Sequence, residues 1–216
     1  MMRCGALFLA ALVAACDGGY APFDADAALG DPSLATLQAP KGFHVRFETT
    51  KGDFVIEVHR KWAPHGADRF YNLVRMNYFT DVAFFRVMRG FMAQFGVHGD
   101  PEINRTWARA FIRADPTRES NRRGRITFGQ MQGGAATRTV QLFINYAHNA
   151  NLDRNFAPFG EVVDGMQVVD SLYAGYGDEA PRGRGPAQGR LIFEGNPYLK
   201  EQFPKLDYIK RAVLVE

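Results

Sequence analysis

Cysteine is almost missing from this chain: its 216 residues include two, Cys4 and Cys16, and neither lies near a histidine. The five histidines, His44, His59, His65, His98 and His148, show no paired ligand spacing. Neither a disulfide framework nor a metal site is therefore expected. A strong excess of one charge is missing too. The 26 Lys and Arg residues against 23 Asp and Glu leave +3, too little and too dispersed to argue for a polyanionic partner. Arginines bunch between Arg105 and Arg125 and again at Arg182, Arg184 and Arg190, but no aromatics are interleaved at a stacking period. Nucleic acid is thus not an expected partner, and these stretches read as solvated loops. No apolar run reaches the ~20 residues that a membrane-spanning helix needs.

The longest such run, "GALFLAALVAA" at residues 5 to 15, has the length of the core of a secretory signal. It ends in "LVAAC", which resembles the lipobox of bacterial lipoproteins, with two alanines before the cysteine. That resemblance makes 1–15 a signal peptide and Cys16 the lipid-attachment residue that begins the mature chain; an ordinary cleaved signal is the alternative. Asp17 follows directly, which in enteric bacteria tends to retain a lipoprotein at the inner membrane. The expected location is the periplasmic side of the envelope. Residues 16–42 are rich in Gly, Ala, Asp and Pro without a period, as a flexible tether would be.

What is plentiful is alternation. The stretches "HVRFETT" and "DFVIEVH" flank Lys51-Gly52 and alternate apolar with polar, so they predict a hairpin. Further strand signals fall at 82 to 88, 91 to 96, 125 to 130, 140 to 146 and 157 to 163, and a closing one in "DYIKRAVLVE". Two segments have helical spacing instead. One is "APHGADRFYNLVRMN", with Ala67, Phe70, Leu73 and Val74 on a stripe behind Pro64; the other is "DGMQVVDSLYA". Many short strands with two covering helices point to a mainly β domain over 43–216, a closed barrel rather than a parallel α/β sheet. Residues 176–206 are a long C-terminal extension to such a barrel, with cap and first-turn chemistry at Asn196-Pro197 for a short helix through Phe203.

Within "AFFRVMRGFMAQFG", residues 83 to 96, a cation and an amide interrupt an apolar run. Alternation puts Arg86 and Met88 on one face, and Met92 and Gln94 on one face of the next strand, with a bend at Gly90. A guanidinium over an apolar floor is costly unless it stays partly wet or meets an acceptor. Taken alone, Arg86 reads as an edge-strand residue paired with a carboxylate such as Asp81. Taken with Gln141 and Phe143, two apart, and with Leu152 and Phe156 ahead of a Pro-Phe-Gly turn, it reads as the polar member of a groove.

"FFRVMRGFMAQ", "TVQLFINYAHNANLD" and "FAPFGEVVDGMQVVDSL" resemble the cyclophilin-type peptidyl-prolyl cis-trans isomerases over most of residues 45 to 175. The spacing from Arg86 to Phe91-Met92 to Gln94 carries the resemblance most specifically. "QFGVHGDP" and "GYGD" are similar to a bacterial branch. The resemblance implies a closed eight-stranded antiparallel barrel capped by two helices, with no cofactor and no metal. It implies Arg86 as catalytic, with Phe91 and Gln94 beside it, and Met92, Gln141, Phe143, Leu152 and Phe156 forming the proline pocket and its rim. Proline-containing polypeptides are then the partners of a monomeric enzyme. Five positions depart from the family. Met131, Gln132 and Gly133 replace the Ala-Asn-Ala common along the groove, Phe156 replaces a histidine, and Asn151 stands where cyclosporin-sensitive members carry tryptophan, so weak cyclosporin binding is expected. Two other readings share the pocket: a module that holds proline segments without turnover, and an envelope scaffold docking a partner through 176–206.

Overall fold

The hairpin expected at Lys51-Gly52 opens the sheet: β1 (Gly42–Thr49) and β2 (Gly52–His59) run antiparallel, with Phe47 opposite Phe54 and Thr49 opposite Gly52. In this computed structural model, which describes residues 23–131 and 133–215, alternation sends Val45, Phe47, Phe54, Ile56 and Val58 inward, each at most 1% exposed. Seven further strands follow: β3 (Val82–Ala83), β4 (Arg86–Met88), β5 (Met92–Phe95), β6 (Arg125–Phe128), β7 (Leu142–Asn145), β8 (Gly160–Asp164) and β9 (Tyr208–Val215). They join one curled antiparallel sheet in the order β3-β9-β1-β2-β8-β6-β7-β5-β4.

The strand count and closure differ from the expected eight-stranded closed barrel. The run 82 to 88, read as one strand, breaks at Phe84-Phe85. Its first part pairs with β9 and its second with β5, so β3 and β4 are the two edges of a nine-stranded sheet. No ladder joins them among the described residues; the chain itself does, with Phe84 N donating to Asp207 O at 2.9 Å. The break follows from two-sided burial. Phe84 enters the main core, while its neighbour Phe85 belongs to an outer cluster with Ala83, Val97, Leu191, Tyr198, Leu199 and Leu206. Successive residues of an extended chain face opposite ways, and here both sides are covered.

Among the described residues, five α-helices accompany this sheet. The two expected ones are α2 (Pro64–Arg75), which buries Ala67, Phe70, Leu73 and Val74, and α4 (Met166–Asp170), shorter than its apolar pattern. The others are α1 (Ala25–Gly30), α3 (Pro101–Trp107) and α5 (Gln188–Gln202). The helix α1 lies inside the segment read as a tether, and residues 24–39 are not loose there. Asp24 caps α1, Ala28 is fully buried, Trp107 Nε1 donates to Leu29 O at 2.8 Å, and Asn72 and Asp68 accept from Leu37 N and Ala39 N. Composition suggested a tether because the partners that order this stretch sit 29 to 78 residues away.

The extension folds back as α5, in which a helical stretch from Gln188 breaks at Gly195 (φ 64°, ψ −148°) and the expected helix at Asn196-Pro197 continues to a C-cap at Phe203. A Cβ on Gly195 would lie 2.2 Å from Gly99 O, so glycine is required by contact as well as by conformation. Asp81, considered above as a partner for Arg86, is instead taken by this helix, accepting from Asn196 Nδ2 at 2.9 Å and Lys200 Nζ at 2.8 Å.

Candidate active site

The pairing of β4, β5 and β7 builds one face from the residues singled out in the sequence. Arg86 stands opposite Gln94, Met88 opposite Met92, and Gln94 opposite Phe143. Alternation turns Val87, Ala93, Phe95, Leu142 and Ile144 into the core, all 3% exposed or less, and leaves Arg86, Met92, Gln94 and Phe143 on the other side. Gly90, at φ 73°, makes the bend between β4 and β5 in a conformation that other residues adopt only at a cost.

On that face runs a row of hydrogen bonds. Arg86 Nη1 donates to Gln94 Oε1 at 3.1 Å and lies 4.0 Å from Met92 Sδ. Gln94 Nε2 donates to Gln141 Oε1 at 2.8 Å, from just ahead of β7. Each amide thus fixes the next. The apolar members lie at the other end: Phe143 meets Phe156 edge to face at 5.4 Å, and Phe156 N donates to Leu152 O at 2.9 Å. Phe91, half-buried, is held by its backbone, its carbonyl accepting from Tyr146 N and Asn149 Nδ2.

The loop carrying Leu152 and Phe156 is pinned by a buried amide network that sequence reading did not find. Asn121, fully buried, donates through Nδ2 to Asp153 Oδ1 at 2.9 Å and to Phe156 O at 3.0 Å. Asn149 Nδ2 donates to Asn145 Oδ1 at 2.8 Å. The polar "NYAHNANLD" was a visible signal for it, since asparagines grouped beside a strand suit local side-chain to backbone bonding.

A cavity of about 420 Å³ opens on the glutamine side of the row, lined by Arg86, Gln94, Gln141, Met131, Trp107 and Ile192 among others. It is not lined by Phe91, Met92, Phe143, Leu152 or Phe156; Arg86, Gln94 and Gln141 belong both to its lining and to the row. Met131 is 53% exposed at its rim; Gln132 and Cys16 lie outside the described residues. Residues 133–138 are tied down by Arg138, whose Nε donates to Ala135 O and whose Nη2 reaches Asp115 Oδ2 at 3.1 Å, with the Arg138 and Asp115 side chains 1% exposed or less.

The second residue missed in the sequence is Asp178, from the extension. Its carboxylate forms a fork with Arg86, accepting from Nε at 2.7 Å and from Nη2 at 3.2 Å, and accepts from Arg182 Nε at 2.7 Å. Asp178 is 3% exposed. Burial by itself would raise its pKa, but hydrogen bonds from Arg86 and Arg182 outweigh that and hold it down at about 2. Elsewhere, Glu57, His59 and Glu161 bring three possible ligand atoms within 4.8 Å of one another on the outer sheet face. Arg125 Nε already pairs with Glu161 at 3.2 Å there, and the group reads as an ion-pair network.

Residues 44–188 match the family model described as cyclophilin type peptidyl-prolyl cis-trans isomerase/CLD. A peptidyl-prolyl cis-trans isomerase of Arabidopsis thaliana is 31% identical over 167 residues, 73% of this chain; the match spans 27% of that relative's length. The peptidyl-prolyl cis-trans isomerase-like 3 of Homo sapiens is 32% identical over 136 residues, 59% of this chain and 80% of that protein. Among solved structures, a cyclophilin type peptidyl-prolyl cis-trans isomerase of Cryptosporidium parvum superposes with TM-score 0.62 at 20% identity, covering 81% of this chain and 98% of that one. The same protein in the presence of the dipeptide Ala-Pro gives TM-score 0.60 over 80% of this chain and 99% of that one, again at 20% identity.

Proposed function

The chain belongs to the cyclophilin-type peptidyl-prolyl cis-trans isomerases, and from that membership we propose that it accelerates Xaa-Pro rotation in proline-containing polypeptides of the bacterial envelope, acting as a monomer. The observation that carries the reading is the row from Arg86 through Gln94 to Gln141, set beside Met92, Phe143 and Phe156. Placement in a bacterial, exported branch rests on residues 5–15, on "LVAAC" and on "QFGVHGDP" and "GYGD".

Amide rotation has a barrier of ~18–20 kcal/mol because twisting removes resonance. Water favours the planar, charge-separated amide, so moving the prolyl group out of water against Met92, Phe143, Leu152 and Phe156, with Phe91 alongside, favours the twisted state. In that state the proline nitrogen becomes pyramidal and its lone pair accepts a hydrogen bond. Arg86 donates there or to the neighbouring carbonyl oxygen, with Gln94 holding its head. A charge-assisted bond of ~1.5–3 kcal/mol supplies roughly ten- to a hundredfold at ~1.36 kcal/mol per decade; desolvation and selection of the bound conformer supply the rest. Met131 and Gln132 replace the family's smaller residues along the groove, which directs this protein toward its own clients.

The test is isomerisation of a short Ala-Pro peptide by wild type and Arg86→Ala. The expected result is strong catalysis by wild type and a loss of at least about tenfold in the variant. Equal rates, both near the uncatalysed value, would leave the holding module as the better reading.

For location, 1–15 serves as the signal peptide and Cys16 as the lipid anchor, with Asp17 favouring the inner membrane. Membrane fractionation of wild type and Cys16→Ala checks this. The variant is expected to leave the membrane fraction, and a wild type that is itself soluble refutes the anchor.

A further inference from the structure

We propose that Asp178 of the C-terminal extension is a positioning residue of the isomerase site, holding the Arg86 guanidinium in the orientation from which it donates to the twisted amide. The inference rests on the isomerase reading above and assigns part of the extension to that site.

A guanidinium has five N–H groups. In Arg86 the Nε–H and one on Nη2 are taken by Asp178, and one on Nη1 by Gln94, which Gln141 holds in turn. One N–H on Nη2 remains for a substrate, and one on Nη1 that meets only the long contact with Met92 Sδ at 4.0 Å. Contacts on two edges leave the head little freedom to turn, although its side chain keeps 21% exposure. Without Asp178, only Gln94 and the Met92 contact would remain to orient a long, flexible side chain, and its ordering would have to be repeated at every turnover.

The extension is shaped to present this one carboxylate. Asp178 Oδ1 also accepts from Glu179 N at 2.9 Å, and Oδ2 from Arg182. Its backbone carbonyl accepts from Gly185 N at 2.7 Å. A Cβ on Gly183 would meet that carbonyl oxygen at 2.1 Å, so the loop closes on Asp178 only because glycine stands there. Glu179 Oε2 accepts from Gln188 N at 2.9 Å, tying the loop to the start of α5. From there Leu191, Tyr198 and Leu199 pack on Phe85 and Val97, next to β4 and β5 themselves.

The experiment measures kcat and KM on the Ala-Pro peptide for wild type, Asp178→Ala, Asp178→Asn and Gly183→Ala, with circular dichroism to confirm folding. Asp178→Ala is expected to lower kcat and kcat/KM together by about tenfold or more, the signature of an interaction lost in the transition state. Asp178→Asn keeps an acceptor for Nε and is expected to lose less. Gly183→Ala, which alters no charged group, is expected to lose activity by displacing the carboxylate. A folded Asp178→Ala that turns over at the wild-type rate or faster overturns the proposal, as does a loss confined to KM. Should Asp178→Ala fail to fold, Asp178→Asn and Gly183→Ala carry the same criteria. A wild type without activity overturns the isomerase reading instead, so the two failures are distinguishable.

Discussion

Replacing Asp115 by alanine should destabilise the domain more than most single changes. The Asp115 side chain is fully buried, and it accepts from His65 N and Gly66 N at 2.9 Å each, at the start of α2. Its other role is to face Arg138, whose side chain is 1% exposed. Removing one partner of a buried ion pair costs ~3–5 kcal/mol, because the remaining charge is left without compensation. At ~2–4 °C per kcal/mol for a domain of this size, the midpoint should fall by about 6–20 °C. Thermal melts of wild type, Asp115→Ala and Asp115→Ala/Arg138→Met are the assay. The double variant removes both charges, so it should recover much of the loss and retain the missing α2 cap, ~1–2 kcal/mol, together with the lost Arg138 bond to Ala135 O. The argument is refuted if Asp115→Ala shifts the midpoint by less than about 3 °C, or if the double variant is no more stable than the single one.

Acid should act on Asp178. Its folded pKa of about 2 lies below the ordinary 3.8, so the stabilisation it gives is complete above about pH 4 and lost as pH falls toward 2. At ~1.36 kcal/mol per pH unit this amounts to about 2 kcal/mol, and Asp178→Asn should flatten the stability profile in that window; an unchanged slope would contradict it. Trp107→Phe removes the bond to Leu29 O, costing ~1 kcal/mol, and should speed limited proteolysis within residues 24–39; cleavage at the wild-type rate argues against α1 being held this way. Cyclosporin should inhibit weakly because Asn151 stands in place of a tryptophan, and a tight inhibition constant would refute that.

Local pattern exposed some of this molecule and hid the rest for identifiable reasons. The alternation around Lys51-Gly52 and the stripe from Ala67 to Val74 repeat at the period of the element they form, and both elements are present. The spacing of Arg86, Phe91, Met92 and Gln94 was legible because one tight hairpin brings these residues together. Asp178 was not legible, since it meets Arg86 across 92 residues of chain and nothing beside it marks a partner. The division of 82 to 88 was hidden for a related reason: Phe84-Phe85 reads as continuous strand, and only the extension's cover over Phe85 shows why each aromatic faces its own cluster. The same blindness to distant partners made 24–39 look free.

The strand order has a consequence for how the molecule comes into being. Strand β9 lies between β3 and β1, pairing Thr49 with Ile209 and His44 with Val215. Residues 44–49 therefore wait for 209–215 before their second neighbour exists, and β3 has no ladder until then. Pairing across so long a loop is slow, so the sheet closes late. Removing 208–215 would accordingly strip β3 of its ladder and β1 of its second neighbour at one stroke, so the integrity of two distant parts of the sheet rests on the last strand made.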